Sequence, residues 1–94
     1  MKLVGLNLLQ DFQDSHAEVR SQLSAWVSEV EDAQWRSPQE VKDRYATASI
    51  LDSNRVIFNI KGNQYRLLVQ ISYKLQIVKV QRIGTHAEYS KWKL

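Results

Sequence analysis

Apolar residues recur along this chain at two different periods, and the change from one to the other near Asn54 divides it into a helical half and a strand half. In the first half Val19, Leu23, Trp26, Val27 and Val30 fall at i, i+4, i+7, i+8 and i+11, one continuous stripe of an amphipathic helix. Ahead of it, Met1 to Val4 predicts a short strand and Asn7 to Asp14 a short helix burying Leu8, Leu9 and Phe12. Ser15 and Glu18 have the spacing of a capping box for the striped helix. Ser37-Pro38-Gln39-Glu40 is a second start signal: a hydroxyl cap, a proline where its missing N–H costs nothing, and a Glu three residues past the cap. The short helix it opens carries Val41 and Tyr45 inward.

Beyond Asn54 the period falls to two. Val56, Phe58 and Ile60 share one face of a strand and Arg55, Ile57 and Asn59 the other, and Lys61-Gly62-Asn63 then supplies turn chemistry. On the returning strand Tyr65, Leu67, Val69, Ile71 and Tyr73 oppose Arg66, Leu68, Gln70 and Ser72. A third strand, Gln76 to Ile83, sets Val78, Val80 and Arg82 against Ile77, Lys79, Gln81 and Ile83. The expected fold class is α+β: N-terminal helices packed on one face of a small antiparallel sheet, made of the short first strand and a C-terminal meander. With 94 residues and no repeat or linker, one domain spanning 1–94 is expected.

Composition narrows the class. A hydrophobic share of 44% with three Trp, four Tyr and two Phe can offset the entropy of ordering the chain, so a folded domain is expected. Cysteine is absent, which excludes disulfides and thiolate metal sites and suits a reducing, cytoplasmic location; two histidines alone argue against a structural zinc. No basic segment and apolar stretch follow Met1, and no apolar run approaches the ~20 residues of a membrane span, so neither secretion nor membrane contact is expected. Charge is divided unequally. Leu3 to Ser53 carries a net −5 and Asn54 to Leu94 a net +7, although the whole chain is only +3. A cationic half of this kind concentrates polyanions, and it serves equally as a solvated surface.

The face of the meander turned away from the helices collects Arg66, Gln70 and, depending on register, Lys79 or Arg82, beside the turn residues Lys61 and Asn63. The last strand runs into Gly84-Thr85-His86-Ala87-Glu88-Tyr89 and then Lys91, Trp92 and Lys93; a turn at Gly84 would bring His86 and Tyr89 back over that face. RNA is cut without metal when its 2′-hydroxyl attacks the adjacent phosphate and the departing 5′-oxygen is protonated, which requires a base, an acid and a cation. Arg66 suits a two-pronged clamp on the phosphate, His86 a base or acid, Tyr89 an acid or donor, and Lys61 a further charge. Arg55, Asn63, Lys79, Arg82 and Lys91 are the candidate RNA-binding residues; no cofactor is implied. The plainer reading makes His86 a surface or capping residue, Arg66 an exposed strand cation, Glu88 a solvated acid, Tyr65, Tyr73 and Trp26 core, and Tyr89 and Trp92 packing groups.

The stretch Phe58-Asn59-Ile60-Lys61-Gly62-Asn63-Gln64-Tyr65-Arg66-Leu67 and the closing Gly84 to Tyr89 resemble the two signature stretches of HigB toxins, and Ala33 to Pro38 resembles their junction between helices. The resemblance covers nearly the whole chain. It implies a member of the RelE superfamily: a compact α+β endonuclease, without cofactor, that cuts mRNA on translating ribosomes. It also implies a helix-turn-helix antitoxin of the HigA kind as partner, and contact with operator DNA only through the toxin–antitoxin complex. By this resemblance Arg66 matches the strand arginine at the scissile phosphate and Tyr89 the C-terminal tyrosine, while His86 stands where RelE has arginine. RelE carries lysines on the strand before the turn; here Ile57 and Asn59 stand there, leaving Lys61 the nearest substitute and the division of roles between Lys61 and His86 open. The rival readings are a noncatalytic RNA- or ribosome-binding module on the same face and a purely structural partner subunit. An RNA-recognition-motif fold is disfavoured, because the helices precede the meander instead of interleaving with it.

Overall fold

Helices and strands form two layers in the computed structural model, which describes residues 1–94. After β1 (Lys2–Val4) come α1 (Leu6–Ser15), a 3₁₀ turn (Ala17–Val19), α2 (Arg20–Asp32) and α3 (Pro38–Arg44). The chain then runs through β2 (Ser49–Ile50), β3 (Arg55–Ile60), β4 (Tyr65–Ser72), β5 (Ile77–Thr85) and the short α4 (His86–Tyr89). The sheet order is β1-β5-β4-β3-β2. Strands β2 to β5 are antiparallel neighbours, as the meander requires, whereas β1 joins β5 in parallel, with Leu3 opposite Val78. Everything from α1 to β4 lies between these two strands in the chain, so their parallel pairing has the long connection it needs. Edge strand β2 has no counterpart in the sequence pattern, since two residues are too few to display a period.

One face of the sheet is sealed by the helices. Leu9, Val19, Leu23, Trp26, Val30, Trp35 and Val41 interlock with Val56, Phe58, Ile60, Tyr65, Leu67, Val69, Ile71, Val78 and Val80 in a single core. Each fully buried aliphatic side chain there contributes roughly 1.5–3 kcal/mol. The α2 stripe is therefore core, with Val27 at its margin, and Trp26 and Tyr65 are core aromatics as the pattern implies. Ser37 caps α3 through its hydroxyl, which accepts from the Glu40 N–H at 3.4 Å, with Pro38 at the first position.

Two local expectations give way to tertiary contacts. Leu8 lies outward on α1 instead of inward, because the helix turns Leu9 and Phe12 to the core. Ser15 caps nothing: it ends α1, and α2 starts after the 3₁₀ turn without a side-chain cap. Glu18 accepts the hydroxyl of Tyr65 instead. A phenol inside the core edge must find a partner, and that need outweighs a local cap. Gly5, at φ +87°, turns the chain from β1 into α1 so tightly that a Cβ there would meet the Val80 carbonyl oxygen at 2.8 Å. No helix is long and apolar enough to cross a membrane.

Candidate functional site

The second face of the sheet is not covered by the main helical layer, and strand register decides what it presents. Asn59 pairs with Arg66 and Arg66 with Gly84; Ile57 with Leu68 and Leu68 with Arg82; Arg55 with Gln70 and Gln70 with Lys79. Between the second and third of these rows β5 has one residue more than β4: Val69 pairs with Val80 and Leu68 with Arg82, so Gln81 bulges. Strict alternation would have put Lys79 and Arg82 on opposite faces. The bulge resets the period, sending both cations to the open face while Val78, Val80 and Ile83 stay with the core. Ile57 and Leu68, at 1% and 6% exposure, form an apolar floor between the two polar rows.

Helix α4 closes one end of this face. A capping box holds its start: the Thr85 hydroxyl accepts from the Glu88 N–H at 3.2 Å, and the Glu88 carboxylate accepts from the Thr85 N–H at 2.9 Å. That backbone bond keeps the Glu88 carboxyl below the usual carboxylate range. Glu88 is exposed, as expected, and also caps the helix, a role whose signal lay in the spacing of Thr85-His86-Ala87-Glu88. The His86 N–H donates to the Gln64 carbonyl at 2.9 Å, fastening α4 to the β3–β4 turn. Gly84 makes no sharp bend; it lies within β5, and its bare Cα leaves room for the returning C-terminal segment. A Cβ there would stand 3.0 Å from Cζ2 of Trp92 and 3.2 Å from Cβ of Glu88.

With α4 and Trp92 folded back, cationic and aromatic side chains alternate. Arg66 lies with Cζ 5.1 Å from the centre of the Tyr89 ring, Tyr89 meets Trp92 edge to face at 5.5 Å, and Cζ of Arg82 lies 4.7 Å over Trp92. The His86 ring is 6.4 Å from that of Tyr89, one helical turn away. Nη1 of Arg66 donates to the carbonyls of Asn63 at 2.9 Å and Tyr65 at 3.3 Å, while its Nη2 and Nε have no protein partner. A guanidinium fixed by one corner and free along the other edge is ready for a bidentate anion.

The structure therefore gathers Arg66, His86 and Tyr89 at one end of the open face, with Asn63 in the first contact ring through its carbonyl. Lys61 lies in the β3–β4 turn at φ 52° and adds its charge to the pull that lowers the Glu18 carboxyl, behind the larger effect of the Tyr65 hydroxyl. Arg82 is linked to the cluster through Trp92, whereas Arg55 and Lys79 lie further along the sheet and Lys91 is exposed beyond α4. Trp92 packs, as read from sequence, and in doing so bridges Arg82 and Tyr89; no local pattern ties it to Gly84. The sole ion pair in the molecule joins Arg44 to Glu29 on the helical layer at 2.6 Å, so no cation of the strand half is in direct contact with a carboxylate. No three His, Cys, Asp or Glu side chains converge as a metal site would need.

A family model, HigB_toxin, described as the RelE-like toxic component of a toxin–antitoxin system, matches residues 19–92. No curated protein matches the chain.

Proposed function

The chain belongs to the HigB family of RelE-like toxins, the toxic component of a toxin–antitoxin system, and from that premise we propose that it acts by cutting mRNA on translating ribosomes. One observation carries the reading: a half-free arginine lies under a tyrosine, with a histidine one helical turn away, on a face whose cations form no ion pair. The ribose 2′-oxygen forms a bond to phosphorus, the bond from phosphorus to the 5′-oxygen breaks, and the products end in a 2′,3′-cyclic phosphate and a 5′-hydroxyl. Nη2 and Nε of Arg66 meet the charge that develops on the equatorial oxygens. His86 and Tyr89 take one proton from the 2′-hydroxyl and give one to the leaving oxygen, with Lys61 the alternative base. Since the nucleophile belongs to the substrate, the reaction calls for no metal-bound water.

Membership in the family implies an antitoxin partner. We take that partner to be a helix-turn-helix protein of the HigA kind, which would carry the complex to operator DNA. The test is to induce the protein in cells and map new 5′ ends on a reporter message, with and without translation blocked. Codon-phased ends that vanish when translation stops are the expected result. Growth arrest with intact message would overturn the nuclease reading in favour of a noncatalytic RNA- or ribosome-binding module.

A further inference from the structure

A cleft of about 410 Å³ opens at the end of the open face away from α4, lined by Asn54, Gln70, Ser72, Lys74, Ile77 and Lys79 together with the backbone of the β4–β5 turn. Strand register puts Gln70, Ser72, Ile77 and Lys79 on the same side of the sheet as Arg66. Its walls are held in place by bonds that leave the ligand-facing groups unspent. The Gln70 amide donates to the Ser53 carbonyl at 3.0 Å, which leaves Oε1 of Gln70 without a donor. The Ser72 hydroxyl accepts from the Leu75 N–H at 3.1 Å, closing the turn. Gln76, at φ 57°, donates through its amide to the carbonyls of Trp35 at 2.7 Å and Tyr73 at 2.8 Å, tying the hairpin tip to the helical layer. Lys74 and Lys79 form no ion pair, and the Asn54 side chain makes no hydrogen bond.

Taking RNA as the substrate, we propose that this cleft is a second nucleotide subsite, holding the strand that leads away from the scissile linkage. Lys74 and Lys79 take a backbone phosphate, and the amides of Asn54 and Gln70 meet a base edge or a 2′-hydroxyl. Arg66 and Gln70 are four residues apart on β4, or ~13 Å, roughly four nucleotides of stacked single strand at ~3.4 Å each. Between them, above the buried Ile57 and Leu68, lies exposed Arg82, a cation for the intervening chain. Two unpaired ammonium groups beside the Asn54 amide and the free Gln70 Oε1 favour a polyanion with hydrogen-bonding bases over an acidic peptide, which offers charge but no base edge.

The experiment measures binding of 2′-O-methyl oligonucleotides, which cannot undergo the cleavage reaction, at two lengths: three nucleotides and eight. Wild type should bind the longer much more tightly than length-averaged collision alone allows, and the Lys74→Ala/Lys79→Ala protein should lose about tenfold of that ratio. The salt slope for the longer oligomer should fall by ~0.7 for each lysine removed. Asn54→Ala/Gln70→Ala should lower the same ratio with no change in slope. Circular dichroism melts establish that each variant is folded. An unchanged ratio in both folded double variants overturns the subsite, as does a polyglutamate of eight residues displacing the long oligomer better than unlabelled RNA of equal length. The readout is independent of catalysis: a length step without cleaved message would reject the nuclease reading and keep the subsite.

Discussion

In the proposed reaction Arg66 is the residue on which the chemistry turns, because its guanidinium is held by one corner and open along the other edge. Arg66→Lys keeps the charge but loses the fork, so cleavage should fall nearly as far as in Arg66→Ala, by ~10²–10³-fold, with the melting temperature little changed. Recovery of most of the activity in the lysine variant would mean that charge alone suffices. Gly84 yields a second prediction at this scale. The Cβ of Gly84→Ala would press on Trp92 and Glu88 at 3.0 and 3.2 Å, displacing the stack that carries Tyr89 over Arg66. Single-turnover cleavage should drop more than tenfold while stability falls by only ~1–3 kcal/mol, the usual range for an overpacked methyl; a wild-type rate would show that the stack has no part in the reaction. Arg66, His86 and Tyr89 were visible in the sequence because strand alternation and one C-terminal segment carry them. Trp92 was not, since its partners Gly84 and Arg82 come to it only when the chain folds back.

Among the elements, the Gln81 bulge does most to compose the open face. Deleting Gln81 removes the extra residue, so that Arg82 follows Val80 in strict alternation, with Val78, Val80 and Ile83 still toward the core and Lys79 and Arg82 still on the open face. The expected outcome is a cooperative thermal melt with the sheet intact; loss of cooperative unfolding would show that the pairing of Arg82 with Leu68 depends on the bulge. Helix α4 is only four residues long and depends on its cap. Thr85→Ala should cost about 1 kcal/mol, seen as faster amide exchange in residues 86–92 well before the rest of the sheet. Strand and helix positions were legible wherever a period ran for four residues or more, as in α2, β3 and β4. Parallel pairing of β1, the two-residue β2 and the bulge were not, because each is decided by a neighbour distant in sequence.

Across the whole molecule, charge divides as the fold does: acids on the helical half, unpaired cations on the sheet. The division was legible from composition, whereas the absence of compensating ion pairs needed coordinates. A few groups set how stability varies with pH. The Tyr65 hydroxyl holds the Glu18 carboxyl low, and the Thr85 backbone holds that of Glu88 low. Their contributions are complete above the ordinary carboxylate value of ~4.3 and lost as pH falls through the lower folded values. The Glu18 bond raises the Tyr65 phenol and burial raises that of Tyr73, so their contributions are complete below ~10 and lost as pH rises beyond it. Melting temperature should therefore be level between these limits and fall at both ends, with Glu18→Gln flattening the acid limb; an acid limb of wild-type steepness would remove Glu18 from the account. The most direct test of the central claim is to incubate purified protein and programmed ribosomes with end-labelled message and identify the new termini. Cleavage leaving a 2′,3′-cyclic phosphate, abolished together in folded Arg66→Ala and His86→Ala proteins, is the predicted result. Cleavage of wild-type strength in both variants would contradict it.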